Sequence, residues 1–504
     1  MGRAKEFIKS GIMMSAVGLA MRTAAMLFGA FVSRTVGAEG TGLYTLVMTA
    51  YSFAITFATS GISLTVTRLV ASAIGEGSEG RVSGILKSAF LYTLAFGAMA
   101  TVGLFCGADF IGERILGDYR TAASLRILAF SLIPASLSAV LSGYFVGVKR
   151  VIFNASAMVF CQVVKMGVTV WLLFKFAPEG IVSAVGGLCL ALTLTEVFGC
   201  VLIFLEFLVD RRRHGANNGC SRGEMGAVVG MAAPLALSAY VRSILLNVEH
   251  ILIPRKLREG GESRSDAYSH YGILHGMALP LVTYPMSPLS SFAGLLVPEF
   301  AEASAAGQKD RMSSIAARAL NMTLAYATLC AVYLYSFSAE LGYLIYKSYE
   351  AGYYIAVLAP VIPIMFLDHV TDSMLKGIGE QVFSMWVNIS DSLLSVILVC
   401  LLIPKMGIMG YAVVIVIMEG YNFLLSFIRL SRRVRFKIDL KPSLLCLFSS
   451  AISVALSNFL FRYGGASVSW MWVILKMIFA LSIGVAAMSF SQILSKKTIS
   501  VPSK

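Results

Sequence analysis

Charge is scarce in this chain. Only 13% of its 504 residues are Asp, Glu, Lys or Arg, against 57% hydrophobic, and the mean hydropathy is +0.79. Soluble domains carry about a quarter of their residues as charges, so this balance excludes a soluble fold and indicates an all-α polytopic membrane protein. No stretch is long and polar enough to form a separate aqueous domain. Cysteine is sparse and solitary: the eight residues (106, 161, 189, 200, 220, 330, 400, 446) form no CxxC pair and lie mostly inside apolar runs. That pattern excludes a disulfide framework and a thiolate metal site, and leaves small hydrophobes. Catalytic signatures are missing as well. There is no Walker A loop, GxSxG, HExxH or Cys/His cluster, so the expectation is a protein that is not an enzyme and has no cofactor and no metal.

Acidic residues are outnumbered by basic ones, 27 to 41, giving a net charge of +14. The cations do not form a nucleic-acid surface. They cluster in short loops between apolar runs, as the positive-inside rule describes.

What the chain does have is apolar length. About 14 candidate spans of roughly 20 or more residues recur along it. They cover 11–36, 43–74, 84–106, 122–147, 153–176 and 180–208, then 225–253, 270–300, 314–338, 353–378, 382–403 and 407–429, and finally 442–461 and 470–494. The short basic start MGRAKEFIK is followed by no small-residue cleavage site, so Gly11–Val36 is read as a retained helix. An N-terminus in the cytoplasm puts Arg81/Lys87, Lys149/Arg150, Arg211–Arg213/Arg222, Lys309/Arg311 and the Arg429–Lys441 run inside, and both termini are expected there. The outer loop with Arg255, Lys256, Arg258 and Arg264 is the exception, diluted by Glu259, Glu262 and Asp266.

Within the first span stands Arg22, about 20 Å from Lys9 and about 18 Å from Arg34 along a helix. A charge so deep costs roughly 2.5–3.5 kcal/mol by insertion scales. It therefore faces a wet cavity or a partner, or is satisfied by buried carbonyls or a carboxylate. The same place recurs one half-chain later: Met21-Arg22-Thr23 lies over Val241-Arg242-Ser243. AIGEGSEGRVSGI (73–85) lies over ASAAGQKDRMSSI (303–315), Pro134 falls near Pro363, Gly180-Ile181 over Gly407-Ile408 and Glu196 near Glu419. Six spans per half make the repeats parallel, with a substrate site where they meet. The expected organisation is an N-lobe (1–210), a basic linker (211–223), a C-lobe (224–430), a second basic linker (431–441), and a terminal helix pair with its tail (442–504).

Polar and helix-breaking residues inside the spans are the remaining candidates. Span eight holds Pro280, Pro285 and Pro288, and its counterpart in span two holds Thr59-Ser60-Gly61. Interrupted helices at matching repeat positions point to a transport site, with ordinary kinking for packing as the alternative. Glu249 follows Arg242 by two turns on one face and can orient it. Glu196 and Glu419 are expected to make interhelical bonds, with Lys165 or Asn422 as partners, and ion coupling or gating is the alternative role. Asp368 and Asp372, four apart on one face, suit a proton or Na⁺ relay or a gate contact. Arg34 and Arg255 are expected at the interface. Lys165, His250, His369 and Asp391 complete the intramembrane polar set.

Two six-helix lobes with a terminal pair, the opening SGIMMSAVGLAMRTAAMLFGAFVSRTVGAEGTGLYTL and TSGISLTVTRLVA in span two resemble the polysaccharide-transporter branch of the MOP flippase superfamily. Within it the chain is most similar to the stage V sporulation protein B group, and more distantly to the lipid II flippase MurJ. The resemblance implies a V-shaped transporter that alternates between inward-open and outward-open states. Its cargo would be an undecaprenyl-diphosphate-linked sugar or peptidoglycan precursor, carried across the plasma membrane by a monomer among membrane lipids. Coupling would be to H⁺, Na⁺ or the membrane potential. The positions matching the family's cavity arginines are Arg22, Arg68 and Arg242, and guanidinium suits a diphosphate because it stays charged and offers several donors. Arg68, about 9 Å from the end of its span, can equally snorkel to the surface. A multidrug cation antiporter of the same superfamily is the alternative. Such a protein wants a first-span carboxylate, and Gly11–Val36 has none.

Overall fold

The computed structural model describes residues 2–59, 61–76, 79–148, 150–214 and 224–460, with positions 475, 476, 478, 479 and 482. Every element among them is helical. Hydrocarbon offers the backbone no partner, so an apolar run must close its N–H and C=O groups within itself, and a helix does this at any length. The helices used below are α1 Gly2–Thr59, α2 Ile62–Gly75, α3 Glu79–Cys106, α4 Thr121–Ala129, α5 Leu132–Gly147, α6 Val151–Phe176, α7 Ile181–His214, α8 Glu224–Glu259 and α9 Arg264–Tyr271. They continue as α10 Leu279–Thr283, α11 Met286–Ala305, α12 Lys309–Ser336, α13 Tyr349–Leu358, α14 Ile362–Gly377, α15 Gln381–Met406, α16 Ile408–Arg433 and α17 Lys441–Leu460. Among the described residues, ten helical stretches are long and apolar enough to cross a membrane, or eleven if the bent pair α4–α5 is one span. The protein is a multi-pass, all-α membrane protein. The expected spans one to thirteen fall on described helices, whereas 470–494 lies outside the described residues except at the five positions named.

The chain forms two compact units. One contains Thr35–Gly272; the other contains Met1–Arg34 together with Ile273–Lys504. These seams differ from the expected lobe boundaries, because span one is grouped with span eight onward and span seven with span two onward. Glycine contacts in the first unit show why. Gly37 breaks α1 with φ 77 and ψ 176, and Thr41 donates back to its carbonyl at 2.7 Å. Beyond the break, a Cβ on Gly42 would stand 1.9 Å from the Tyr268 carbonyl oxygen, and one on Gly272 would stand 2.4 Å from the Ala38 oxygen. Backbone therefore meets backbone, and α9 is held on residues 38–42.

Inside the Thr35–Gly272 unit, α2, α3, α5, α7 and α8 bury Ile62, Val66, Val70, Ile85, Phe145, Phe207 and Val228. Gly143 and Gly147, spaced as GxxxG on α5, let α2 approach closely. Thr67 closes the contact by donating to the Gly143 carbonyl at 3.0 Å. Hydroxyls elsewhere are also satisfied locally: Thr45, Thr49, Thr56 and Thr59 each donate to a carbonyl four residues earlier.

The other unit uses matching elements. Helices α3 and α12, α5 and α14, and α6 and α15 start 230 residues apart (309 − 79, 362 − 132 and 381 − 151) and have equal lengths. Gly147 abuts the Thr67 oxygen and Val70, and Gly377 abuts the Val297 oxygen and Phe300. A π-turn, Ile111–Leu116, closes on left-handed Gly117; its counterpart, Gly342–Tyr346, closes on left-handed Lys347.

Candidate functional site

Two helices are interrupted. Between α1 and α2 the chain passes through Gly61 in the left-handed region (φ 68, ψ 9), which glycine adopts without steric cost. Ser60 lies outside the described residues. The second interruption falls at Tyr284–Pro285, between α10 and α11, after a π-turn over Gly272–Ala278. Pro280 stands in the first turn of α10, Pro285 caps α11, and Pro288 lies in the first turn of α11, where a missing N–H is tolerated. The carbonyl freed at Pro285 accepts from the Tyr326 hydroxyl at 2.8 Å.

Each interruption packs against one of the two helices that carry Arg22 and Arg242. In one unit, Thr23, the residue after Arg22, is hydrogen-bonded to the Tyr284 hydroxyl at 2.5 Å. In the other, a Cβ on Gly61 would lie 2.9 Å from Leu235 on α8, and Tyr240 donates to the Phe57 carbonyl at 3.3 Å while stacking on its ring. Arg242 follows Tyr240 by two residues. For Arg22 and Arg242 the helical backbone is described and the side chains lie outside the described residues. Arg68 is exposed on α2 and, among the described residues, forms no ion pair. Glu249 is half-buried on α8. Two residues before it, Asn247 accepts from Ser52 at 2.8 Å and donates to Ser243 at 3.0 Å, a polar seam between α8 and α1.

A cavity of about 160 Å³ lies in the second unit, lined by Asp368, His369, Asp372, Asn388, Glu419 and Asn422 among others. Helices α14, α15 and α16 supply these groups, and Met286, at the break before α11, joins them. Asp372 is paired with Lys376 at 2.5 Å. Asp368 Oδ1, Ser384 Oγ, Asp391 Oδ1 and Asn422 Oδ1 are buried oxygens with no hydrogen-bond partner among the described residues. Buried acceptors of this kind suit a proton or a small cation. Among the described residues no cluster of three or more His, Cys, Asp or Glu has the geometry of a metal site.

The structure thus brings Asp368, Asp372 and Glu419 together and leaves Glu196 apart, on α7 of the other unit. There Lys165 of α6 is the charge that acts on it. Sequence reasoning missed Ser384, Asn388 as a cavity group, and Ser426. Their signal is spacing: Asp368/Asp372, Ser384/Asn388 and Asn422/Ser426 are polar i, i+4 pairs on three successive helices.

Interrupted apolar helices with polar groups at the breaks are a transporter's architecture, and the comparisons agree. The MatE family pattern matches residues 275–401. Stage V sporulation protein B of Bacillus subtilis (strain 168) is 25% identical over 421 residues, covering 82% of this chain and 81% of that protein. Two solved structures share the fold. Lipid II flippase MurJ, in its inward closed conformation, has TM-score 0.70 and 13% identity, over 96% of this chain and 100% of that one. An inward-facing multidrug resistance MATE family transporter of the MOP superfamily has TM-score 0.68 and 16% identity, over 82% and 94%. The protein is a membrane transporter of the MOP superfamily, a class of transporters and not of enzymes. The pattern of the family Polysaccharide biosynthesis protein matches residues 7–304, more than half the chain, and the chain belongs to that family.

Proposed function

We propose that this protein is a flippase that moves an isoprenoid-diphosphate-linked oligosaccharide or peptidoglycan precursor, lipid II-like, across the plasma membrane by alternating access. The observation that carries the reading is the packing of the Arg22 helix on the break at Tyr284 and of the Arg242 helix on the break at Gly61. Broken helices expose N–H groups and a positive dipole end, and arginines beside them add fixed positive charge, the combination a diphosphate requires. Arg22, Arg68 and Arg242 are the proposed diphosphate ligands, with Glu249 orienting Arg242. Gly61 and the Pro280–Pro288 segment act as gating hinges.

The equal-length helices 230 residues apart support two parallel six-helix repeats within about 14 spans, and the basic loops support cytoplasmic termini. Asp368, Asp372 and Glu419 are the proposed coupling or gate groups, with H⁺ or Na⁺ as the ion. The similarity to a sporulation protein supports a role in cell-wall or spore-cortex synthesis. A second reading, a cation antiporter, draws on the acidic cavity.

Reconstitution into liposomes separates the two. Flipping of lipid II or another undecaprenyl-diphosphate sugar, without uptake of cationic dyes, is the expected result. Dye transport without lipid flipping would replace this reading with the second.

A further inference from the structure

The chain between α16 and α17 carries cations that, among the described residues, form no ion pair. Arg429 and Arg433, at the end of α16, both bond Glu380, whose single charge offsets one of the two. Beyond them, residues 434–440 leave the helix, with Val434 extended and Val434 and Phe436 turned inward. Val434 is buried, and the Phe436 ring meets Phe427 edge-on at 5.6 Å. Further along, the Asp439 N–H donates to Asn321 of α12 at 3.0 Å. The alternate residues point away: Arg435, Lys437 and Lys441 are exposed, as is Arg432 just before them. Arg318, one turn before Asn321 on α12, is exposed as well. Among the described residues none of these five forms an ion pair. The one carboxylate on the segment, Asp439, accepts from the Lys441 backbone N–H at 3.0 Å.

We propose that this segment is a docking surface for the headgroups of anionic phospholipids. Two observations select that occupant. The spans Ile408–Arg433 and Lys441–Phe459 end and begin at its two ends, so the short segment lies at the membrane boundary, in the headgroup layer. Its cations are followed directly by lipid-facing side chains, Leu440, Leu444 and Phe448, which are about half or more exposed. A phosphodiester with acyl chains below it matches both; an aqueous polyanion matches only the first. Because the segment is held by Phe436 and Asp439, the cations are presented in fixed positions and little ordering is needed on binding.

The test uses the full chain and no cargo, so its outcome is independent of the flippase reading. Thermal unfolding is followed in nanodiscs of phosphatidylcholine alone and of phosphatidylcholine with phosphatidylglycerol. Phosphatidylglycerol is expected to raise the midpoint of the wild-type protein. The R435Q/K437Q/K441Q variant is expected to lose more than half of that rise while keeping the wild-type midpoint in phosphatidylcholine. The charge-conserving variant R435K/K437R/K441R should keep the rise. An undiminished rise in the triple Gln variant would overturn the proposal. So would an equal loss from Lys309→Gln, an exposed cation 12 residues before Asn321 at the start of α12, or an equal rise from inorganic phosphate in phosphatidylcholine discs.

Discussion

An arginine side chain in hydrocarbon costs roughly 2.5–3.5 kcal/mol by insertion scales, and two at matching places cost about twice that. A chain carries such a burden only where the charge has work to do, which is why Arg22 and Arg242 stand out in the sequence without any structure. Asp368, Asp372 and Glu419 are visible in the same way, as isolated charges. Their convergence is not visible, because it depends on which faces of α14, α15 and α16 turn inward, and side chains from three helices decide that together. Outside the spans, Glu380 illustrates how residue chemistry sets pH dependence. Its hydrogen bond to Arg429, opposed by partial desolvation and reinforced by Arg433, holds its carboxyl below the usual 4.5. A lowered native pKa stabilises above the unfolded value, and that contribution disappears as pH falls through the native one. Glu380→Gln should therefore lower the thermal midpoint in detergent at neutral pH, and the gap to wild type should close as pH is taken below about 4.5. A gap that stays constant across that range would assign Glu380 a purely steric role.

Elements were readable where a single residue type determines them. Apolar runs of 20 or more become helices because no other spanning form satisfies the backbone, and the interruptions follow from Gly61 and from three prolines within nine residues of each other. The π-turns at Ile111–Leu116 and Gly342–Tyr346 carry no such mark: one closes on glycine and the other on Lys347, held at φ 57. The break at Pro285 gives an element-level prediction. Pro285→Ala restores an N–H that can bond the Leu281 carbonyl, so α10 and α11 can join. The midpoint should stay level or rise by about 1 kcal/mol in stability, while the flipping rate falls about tenfold. A rate unchanged in proteoliposomes would reduce the break to a packing kink.

At the scale of the whole molecule, the three helix pairs of equal length 230 residues apart agree with the order of the sequence matches, from Arg22 over Arg242 to Glu196 near Glu419. The grouping of spans one and seven was not legible in the sequence. It follows from the bare backbone contacts of Gly42 and Gly272, and glycines in a membrane helix look alike until a neighbour is known. That grouping places the Arg22 helix on one broken helix and the Arg242 helix on the other, each within its own unit. The most direct test is the flipping rate of a lipid-linked diphosphate sugar in proteoliposomes for wild type, Arg22→Ala and Arg242→Ala at equal insertion. Loss of charge-assisted bonds worth about 3 kcal/mol predicts a fall of roughly 100-fold for each. Wild-type rates in both variants would contradict the assignment of the two arginines to the cargo.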